Sequence, residues 1–356
     1  MSRGLSMREA VERLRSYEAF ERWSPLADEP ALVVDLGAAG APGRGARAAL
    51  TVLDALPCPT IALVPEGELS VAAKSFLSRF DVAARTEEEL ASMLATVQHT
   101  PLAAQVLVQL LRGTERRTIE AGLVAESLAY STLQAGPEFA AWSAARPPAR
   151  HADASAGPPV RVRRDGDSLR LTLDRPERRN AWSAAMRDAF VEALALAADD
   201  STIREVVIDG AGPAFCAGGD LDEFGTRPDP ATAHAVRTTR SAARLLAAIA
   251  TRARAELHGA CVGAGIELPA FASRVVARED AFFQLPELSM GLVPGAGGTV
   301  SLPRRIGRQR TAWLTLTGAR LDAATARAWG LIDEVVPTPV CETPRETDSG
   351  LYTRLR

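Results

Sequence analysis

Residues 258–268 read HGACVGAGIEL, in which Gly259, Gly263 and Gly265 punctuate an apolar run that ends in one acid, Glu267. The pattern predicts a turn of small residues after a strand, then a buried helix opening at the glycines. The start of a helix leaves N–H groups without internal partners and carries the positive end of the backbone dipole, which suits an anion or a developing oxyanion. A G-x-G pattern also occurs in dinucleotide sites, but no acid stands on a following strand as that fold requires, and we set that reading aside.

Upstream, residues 214–220 read AFCAGGD and follow an apolar strand expected at 205–209, EVVID. Ala217, Gly218 and Gly219 lack the bulk that would shield main-chain N–H groups from a ligand; taken alone, the trio also fits an ordinary tight turn. Downstream, residues 284–299 read QLPELSMGLVPGAGGT, with Glu287 set among Leu, Met and Val ahead of a glycine turn. Held away from water, such a carboxyl titrates higher than usual and can act as a general acid or base. Taken alone, it equally fits a solvent-facing Glu at a helix start.

In order, FCAGGDL (215–221), HGACVGAGIEL (258–268), DAFFQLPELSMGLVPGAGGTVSLPRRIG (280–307) and TGARLDAATARAWGLIDEVVP (317–337) strongly resemble the enoyl-CoA hydratase/isomerase, or crotonase, family. PERRNA (176–181) is similar to that family's early substrate loop. The resemblance covers about 160–337, half the chain. It implies a crotonase-like α/β domain of ββα spiral units. It also implies that the backbone N–H groups of Gly219 and Ala264 form an oxyanion hole for a thioester carbonyl. Glu267 and Glu287 fall on the family's acid/base carboxylates, and Ala217, Gly218, Asp220, Leu221, Gly263, Pro286 and Gly295 fall on positions expected to contact substrate.

Hydrating a 2-enoyl-CoA takes a proton from water at C3 and gives one to C2, so two carboxylates can share the work, whereas a double-bond shift needs one. The resemblance therefore favours an enoyl-CoA hydratase, with isomerisation or other CoA-thioester enolate chemistry as the alternative. A further alternative is a non-catalytic or partner-dependent subunit. No metal or cofactor is expected beyond the CoA of the substrate, and family members imply a homo-oligomer, a trimer or hexamer, or else a hetero-oligomer.

This chain departs from the family pattern in its strand at 251–257, TRARAEL, where Arg252, Arg254 and Glu256 replace an apolar run. Charges in a central strand are costly without partners. After 337 the chain lacks the helices with which family members commonly cover the site. Residues 118–139 resemble the helical tail of some relatives, which implies that the first half supplies that cover.

At 356 residues the chain is long for one average domain. Residues 146–159, RPPARHADASAGPP, break all apolar periodicity and read as a linker. They separate an N-terminal α/β domain (1–145) from the crotonase-like domain (160–337), and a polar tail (338–356) follows. Within the first half, Ser6 and Glu9 have capping-box spacing ahead of a helix reaching about 23, and strands are expected at 31–36 and 60–64. Residues 78–86 can be laid over 273–279, so the first half is either a degenerate copy of the same fold or an unrelated α/β segment. In the second half a hairpin is expected around Asp165-Gly166, then a helix capped by Ser183, and another helical run at 234–250.

A net charge of −3 offers nothing to nucleic acid or an anionic membrane. The four cysteines show no metal-ligand or disulfide spacing, and neither a signal peptide nor a membrane span is evident, so a cytoplasmic setting is expected. Cys216 and Cys261 read as packing residues. His258 is either a substrate contact or a backbone-shaping group, and the pairs Arg178-Arg179 and Arg304-Arg305 either meet CoA phosphates or are solvated surface.

Overall fold

A computed structural model describes residues 4–37, 46–64, 69–147, 157–226 and 229–338. Most of the expected linker (148–156) and nearly all of the expected tail (339–356) lie outside the described residues.

The first half alternates strand and helix as its apolar pattern predicts. Strands β1 (Leu5–Ser6), β2 (Leu32–Asp35), β3 (Thr60–Leu63) and β4 (Val82–Ala84) lie side by side in that order, all parallel. Helices α1 (Met7–Leu14), α2 (Ala19–Arg22), α3 (Ala46–Ala55) and α4 (Val71–Leu77) run between them. Ser6 and Glu9 form the expected capping box. The helix expected to reach 23 instead breaks after Leu14, where the Ser16 hydroxyl accepts from Glu18 N–H (3.2 Å) and offers the backbone a turn in place of a helical bond. After β4 come α5 (Glu87–His99), α6 (Pro101–Arg112), α7 (Ile119–Gln134) and α8 (Pro137–Ala144). Thr86 and Thr118 cap α5 and α7, and prolines open α6 and α8, where a missing N–H costs nothing.

The second half opens with the hairpin of β5 (Val160–Asp165) and β6 (Ser168–Leu173), then α9 (Ala184–Asp199), capped by Ser183, and β7 (Glu205–Gly210). The expected helix at 234–250 is two helices, α10 (Pro230–Thr239) and α11 (Ala242–Ala248), because Ser241 starts a new cap. Strands β8 (Ala253–Leu257) and β9 (Ala260–Val262) lead to α12 (Ala264–Glu267), and β10 (Arg274–Arg278) and β11 (Phe282–Gln284) to a 3₁₀ turn, Glu287–Met290. Then follow α13 (Gly298–Ile306), α14 (Arg308–Thr317), β12 (Leu321–Asp322), α15 (Ala323–Trp329) and β13 (Glu334–Val336). One sheet has the order β13-β10-β8-β7-β6-β5 and is parallel except for the β5–β6 hairpin; a smaller one has the order β12-β11-β9. Each consecutive pair, β8–β9 and β10–β11, steps from the large sheet to the small one, giving the repeated ββα spiral.

The charged strand β8 is accommodated by the pleat. Ala253, Ala255 and Leu257 point into the core while Arg254 and Glu256 face the other way, half-buried. There Glu256 pairs with Arg254 on its own strand and with Arg170 on β6 (2.8 Å), and Arg170 also pairs with Asp209 on β7. Arg252 lies just before the strand and donates to Ala197 O (2.6 Å) near the end of α9. The charges thus have ion-pair partners, which offsets the cost expected from the sequence, although Arg254 Nε and Asp209 Oδ1 stay buried without hydrogen bonds among the described residues.

The two halves share a core. Met93, Leu107 and Leu111 of the first half pack in one cluster with Leu288, Leu292 and Leu316 of the second. The break in composition at 146–159 therefore does not mark a boundary between independent interiors.

Candidate active site

Main-chain bonds lace the two glycine loops together. Cys216 N–H donates to Ala260 O (3.1 Å) and Val262 N–H to Cys216 O (3.0 Å), so the 214–220 loop runs beside β9. Trp182 N–H donates to Gly218 O and Asp220 N–H to Trp182 O, which brackets Gly219 while leaving its own N–H unused. Asn180, fully buried, fixes the loop from below by donating to Ala211 O (2.8 Å) and Ala214 O (2.9 Å). On the facing side Ala264 is the first residue of α12. That helix is a single turn ended by Pro269, so what it offers is one oriented N–H and not the dipole of a long helix. Neither Gly219 nor Ala264 donates its N–H to an acceptor among the described residues. Both line a single cavity of about 540 Å³.

Glu267 and Glu287 line the same cavity, 2% and 7% exposed. Gly263 explains how they meet. Its φ of +51° suits glycine, and a Cβ built on it would lie 2.7 Å from Glu287 Oε1 and 3.7 Å from Glu267 Oε1. Both carboxylates thus converge on one point beside the two free N–H groups. Their supports differ. Glu267 Oε2 accepts from Ala296 N–H (2.8 Å) and Gly298 N–H (2.9 Å), whereas Glu287 Oε2 is buried with no partner among the described residues. Burial, then the nearness of Glu287 and Glu126, raises Glu267 well above the usual carboxylate range, and burial pushes Glu287 up to about 8.

The cover comes from the first half. Leu123, Glu126, Ser127 and Tyr130 of α7 and Trp142 of α8 line the cavity, in keeping with the likeness of 118–139 to a covering tail. Glu126, 2% exposed, accepts from Gly297 N–H (2.7 Å), Thr299 N–H (2.9 Å) and the Thr299 hydroxyl (2.6 Å). Donors along 296–299 therefore alternate between Glu267 and Glu126, and the turn that holds the catalytic candidate is itself held by the first half. Burial raises Glu126 to about 7 against those hydrogen bonds.

Sequence reasoning did not single out Glu126, Tyr130 or Arg237. The available signal was the small, buried stripe of α7 (Gly122, Ser127, Ser131) carrying one acid, which marks a face packed against something but not what it meets.

Of the other expected residues, Ala217, Gly218, Leu221, Gly263, Pro286 and Gly295 line the cavity. Asp220 does not belong with them. It turns into the protein, paired with Arg175 (3.0 Å) and Arg178 (3.2 Å), and its carboxylate also accepts from Asp222 N–H, so its charge is spent on loop structure. Arg178 is occupied there too, while Arg304 and Arg305 donate to backbone carbonyls of Val300, Arg117, Ala270 and Ala272. His258 Nε2 bonds with Gly212 O (3.0 Å), which fits the backbone-shaping alternative. Cys216 and Cys261 are buried, and burial pushes the Cys216 thiol up to about 12, so neither is poised as a thiolate. Among the described residues no cluster of acids, histidines and cysteines has the makings of a metal site, and no helix is long and apolar enough to cross a membrane.

A ββα spiral with two unshared N–H groups facing a buried carboxylate pair defines a protein equipped to bind an acyl oxygen beside two acids. Residues 166–345 match the family model described as enoyl-CoA hydratase/isomerase. The chain is 38% identical over 177 residues to a 2,3-dehydroadipyl-CoA hydratase of Escherichia coli (strain K12), covering 50% of this chain and 69% of that protein. It is 37% identical over 172 residues to a 1,2-epoxyphenylacetyl-CoA isomerase of the same organism, covering 47% of this chain and 66% of that protein. Among solved structures, an enoyl-CoA hydratase from Thermoplasma volcanium GSS1 is similar at 36% identity with a TM-score of 0.47, over 51% of this chain and 72% of that one. The chain belongs to the enoyl-CoA hydratase/isomerase (crotonase) family.

Proposed function

We propose that the protein hydrates a 2-enoyl-CoA to a 3-hydroxyacyl-CoA. The observation that carries this reading is the convergence of two carboxylates, not one, on a single point beside the Gly219 and Ala264 N–H groups. With the thioester oxygen at those two donors, C2 and C3 of the acyl chain face the acids. Burial and the neighbouring acids raise Glu267. With Glu287 holding a proton, however, the two N–H donors on Glu267 Oε2 steady the ionised form, which takes a proton from water as the water oxygen bonds to C3. The displaced π electrons move through C2 onto the thioester oxygen, and the N–H pair stabilises the resulting enolate charge. Glu287, without comparable support for its charge, carries a proton and delivers it to C2. The turnover ends with Glu267 protonated and Glu287 ionised, and proton exchange restores both.

Against the alternative of a non-catalytic subunit, the charges of β8 are ion-paired, and α7 and α8 line the cavity as a cover would. Isomerisation or other CoA-thioester chemistry stays a second reading, because a relative named as a hydratase and one named as an isomerase of an epoxyphenylacetyl-CoA match this chain similarly. The ultraviolet absorbance of the conjugated thioester in crotonyl-CoA separates them. Hydration predicts loss of that absorbance with the unaltered protein, and a fall in rate of about 10²–10⁴-fold or more in either Glu267→Gln or Glu287→Gln. Turnover retained in Glu267→Gln and lost in Glu287→Gln would favour isomerisation instead.

A further inference from the structure

The proposed reaction leaves one charged group of the cavity unexplained. Arg237, on α10, lines the cavity and is partly withdrawn from water, yet among the described residues it forms no ion pair. Its acceptors are neutral and all on α7: the Ser127 hydroxyl (3.1 Å) and carbonyl (3.3 Å), the Ser131 hydroxyl, and Gln134 Oε1 (3.2 Å). Other arginines lining the cavity differ. Arg187 pairs with Asp188 (2.9 Å), Arg240 pairs with Asp188 (3.3 Å) and Glu192 (3.2 Å), and Arg244 is exposed. A guanidinium drawn out of water with no ion pair is costly; burial makes the charged form harder to hold, and Glu126, which acts on it through space, makes no hydrogen bond to it. Of the five N–H groups of a guanidinium, one on Nη1 is left over.

Its position decides which part of a ligand it meets. The guanidinium lies 4.7 Å from the centre of the Tyr130 ring, and the Tyr130 phenol feels Arg237, Glu287 and Glu267 together. A Cβ built on Gly295 would run into the Tyr130 ring, and the next residue, Ala296, donates to Glu267, so Tyr130 and Arg237 stand beside the turn that holds the acid. A thioester with its carbonyl at the Gly219 and Ala264 N–H pair and C2 and C3 at the acids would carry its remaining carbons past them toward Tyr130 and Arg237.

We infer that the acyl end of the cavity takes a chain ending in a carboxylate, held by Arg237 across the Tyr130 ring; this rests on the reading of the site as one for CoA thioesters. A neutral acyl tail would leave the guanidinium with no ion-pair partner. Repulsion from Glu287 is limited, because burial pushes its carboxyl up to about 8 and it carries its proton near neutral pH.

Saturated esters, which cannot be hydrated, test binding separately from chemistry. Calorimetric titration compares adipyl-CoA with hexanoyl-CoA and glutaryl-CoA with valeryl-CoA. The dicarboxylic member of at least one pair is expected to bind about 10- to 100-fold more tightly. Arg237→Met removes the preference, and Arg237→Lys retains part of it. If Arg237 only bolts α10 to α7, Arg237→Met weakens both members of a pair alike; that result, or equal binding by the unaltered protein, overturns the inference. Hydration of the matching 2-enoyl esters is followed in parallel. A preference without hydration rejects the hydratase reading alone, hydration without preference rejects this inference alone, and failure of every ester to bind rejects both.

Discussion

In the proposed reaction Glu267 and Glu287, chemically identical side chains, take different tasks because of what surrounds them. Two N–H donors steady one, and the other has an oxygen with no partner. In that reaction Glu287 must be protonated and burial raises it to about 8, so activity is lost above that value. The need for an ionised Glu267, itself raised by burial, makes activity fall again toward acid pH. The value of kcat/KM is expected to fall about tenfold per pH unit beyond about 8, as an apparent value belonging to the whole carboxylate cluster. A profile that stays level well past that point would exclude Glu287 as the proton donor. The N–H donors can be tested as cleanly. Ala264 occupies the first position of α12, where proline is tolerated, so Ala264→Pro deletes one N–H with little effect on the melting temperature. It should raise the barrier by about 2.7–4 kcal/mol, read as a drop in kcat of about 10²–10³-fold. Unchanged kcat would remove that N–H from the mechanism.

At the level of elements, α7 reaches the carboxylate of the proposed chemistry through the turn at 296–299. Glu126 takes alternate donors of that turn and leaves the others for Glu267, so loosening one hold loosens both. Replacing Glu126 by Gln sets an amide N–H against a backbone N–H and should cost about 1–3 kcal/mol in both stability and activation free energy. The expected readout is a lower kcat and a shifted pH profile with CoA-ester affinity largely kept. Loss of stability with an unaltered profile would reduce Glu126 to a purely structural role. Strand β8 makes a related point about charge. Its residues look wrong for a buried strand until the alternation of the pleat sorts Ala253, Ala255 and Leu257 to one face and Arg254 and Glu256 to the other.

For the whole molecule, the site belongs to both halves. Tyr130, Glu126 and Trp142 complete the cavity from one side of the sequence break, and Leu288, Leu292 and Leu316 share their core with Met93 and Leu107 across it. The second half produced without the first is therefore expected to expose that apolar surface, aggregate, and lack activity. Supplying residues 1–147 as a separate chain should restore soluble protein and turnover. A soluble, fully active second half by itself would show that the shared core and α7 are dispensable.

Much of this was legible in the sequence because it is written in short-range terms. Glycines at 218, 219, 263 and 265 mark close approach of backbone, alternation marks β6, and caps at Ser6 and Ser183 mark helix starts. The resemblance of the second half then placed Glu267, Glu287 and the two N–H donors on one site. What stayed hidden depends on distance through space and not along the chain. Asp220 looked like a cavity residue until Arg175 and Arg178 drew it inward, and Glu126 looked like one more helix acid until Gly297 and Thr299 closed on it. No spacing rule records that residues 171 positions apart share a hydrogen bond. Burial and partnership are properties of the packed chain, and they decide which of several equivalent carboxylates and arginines are left to face a ligand.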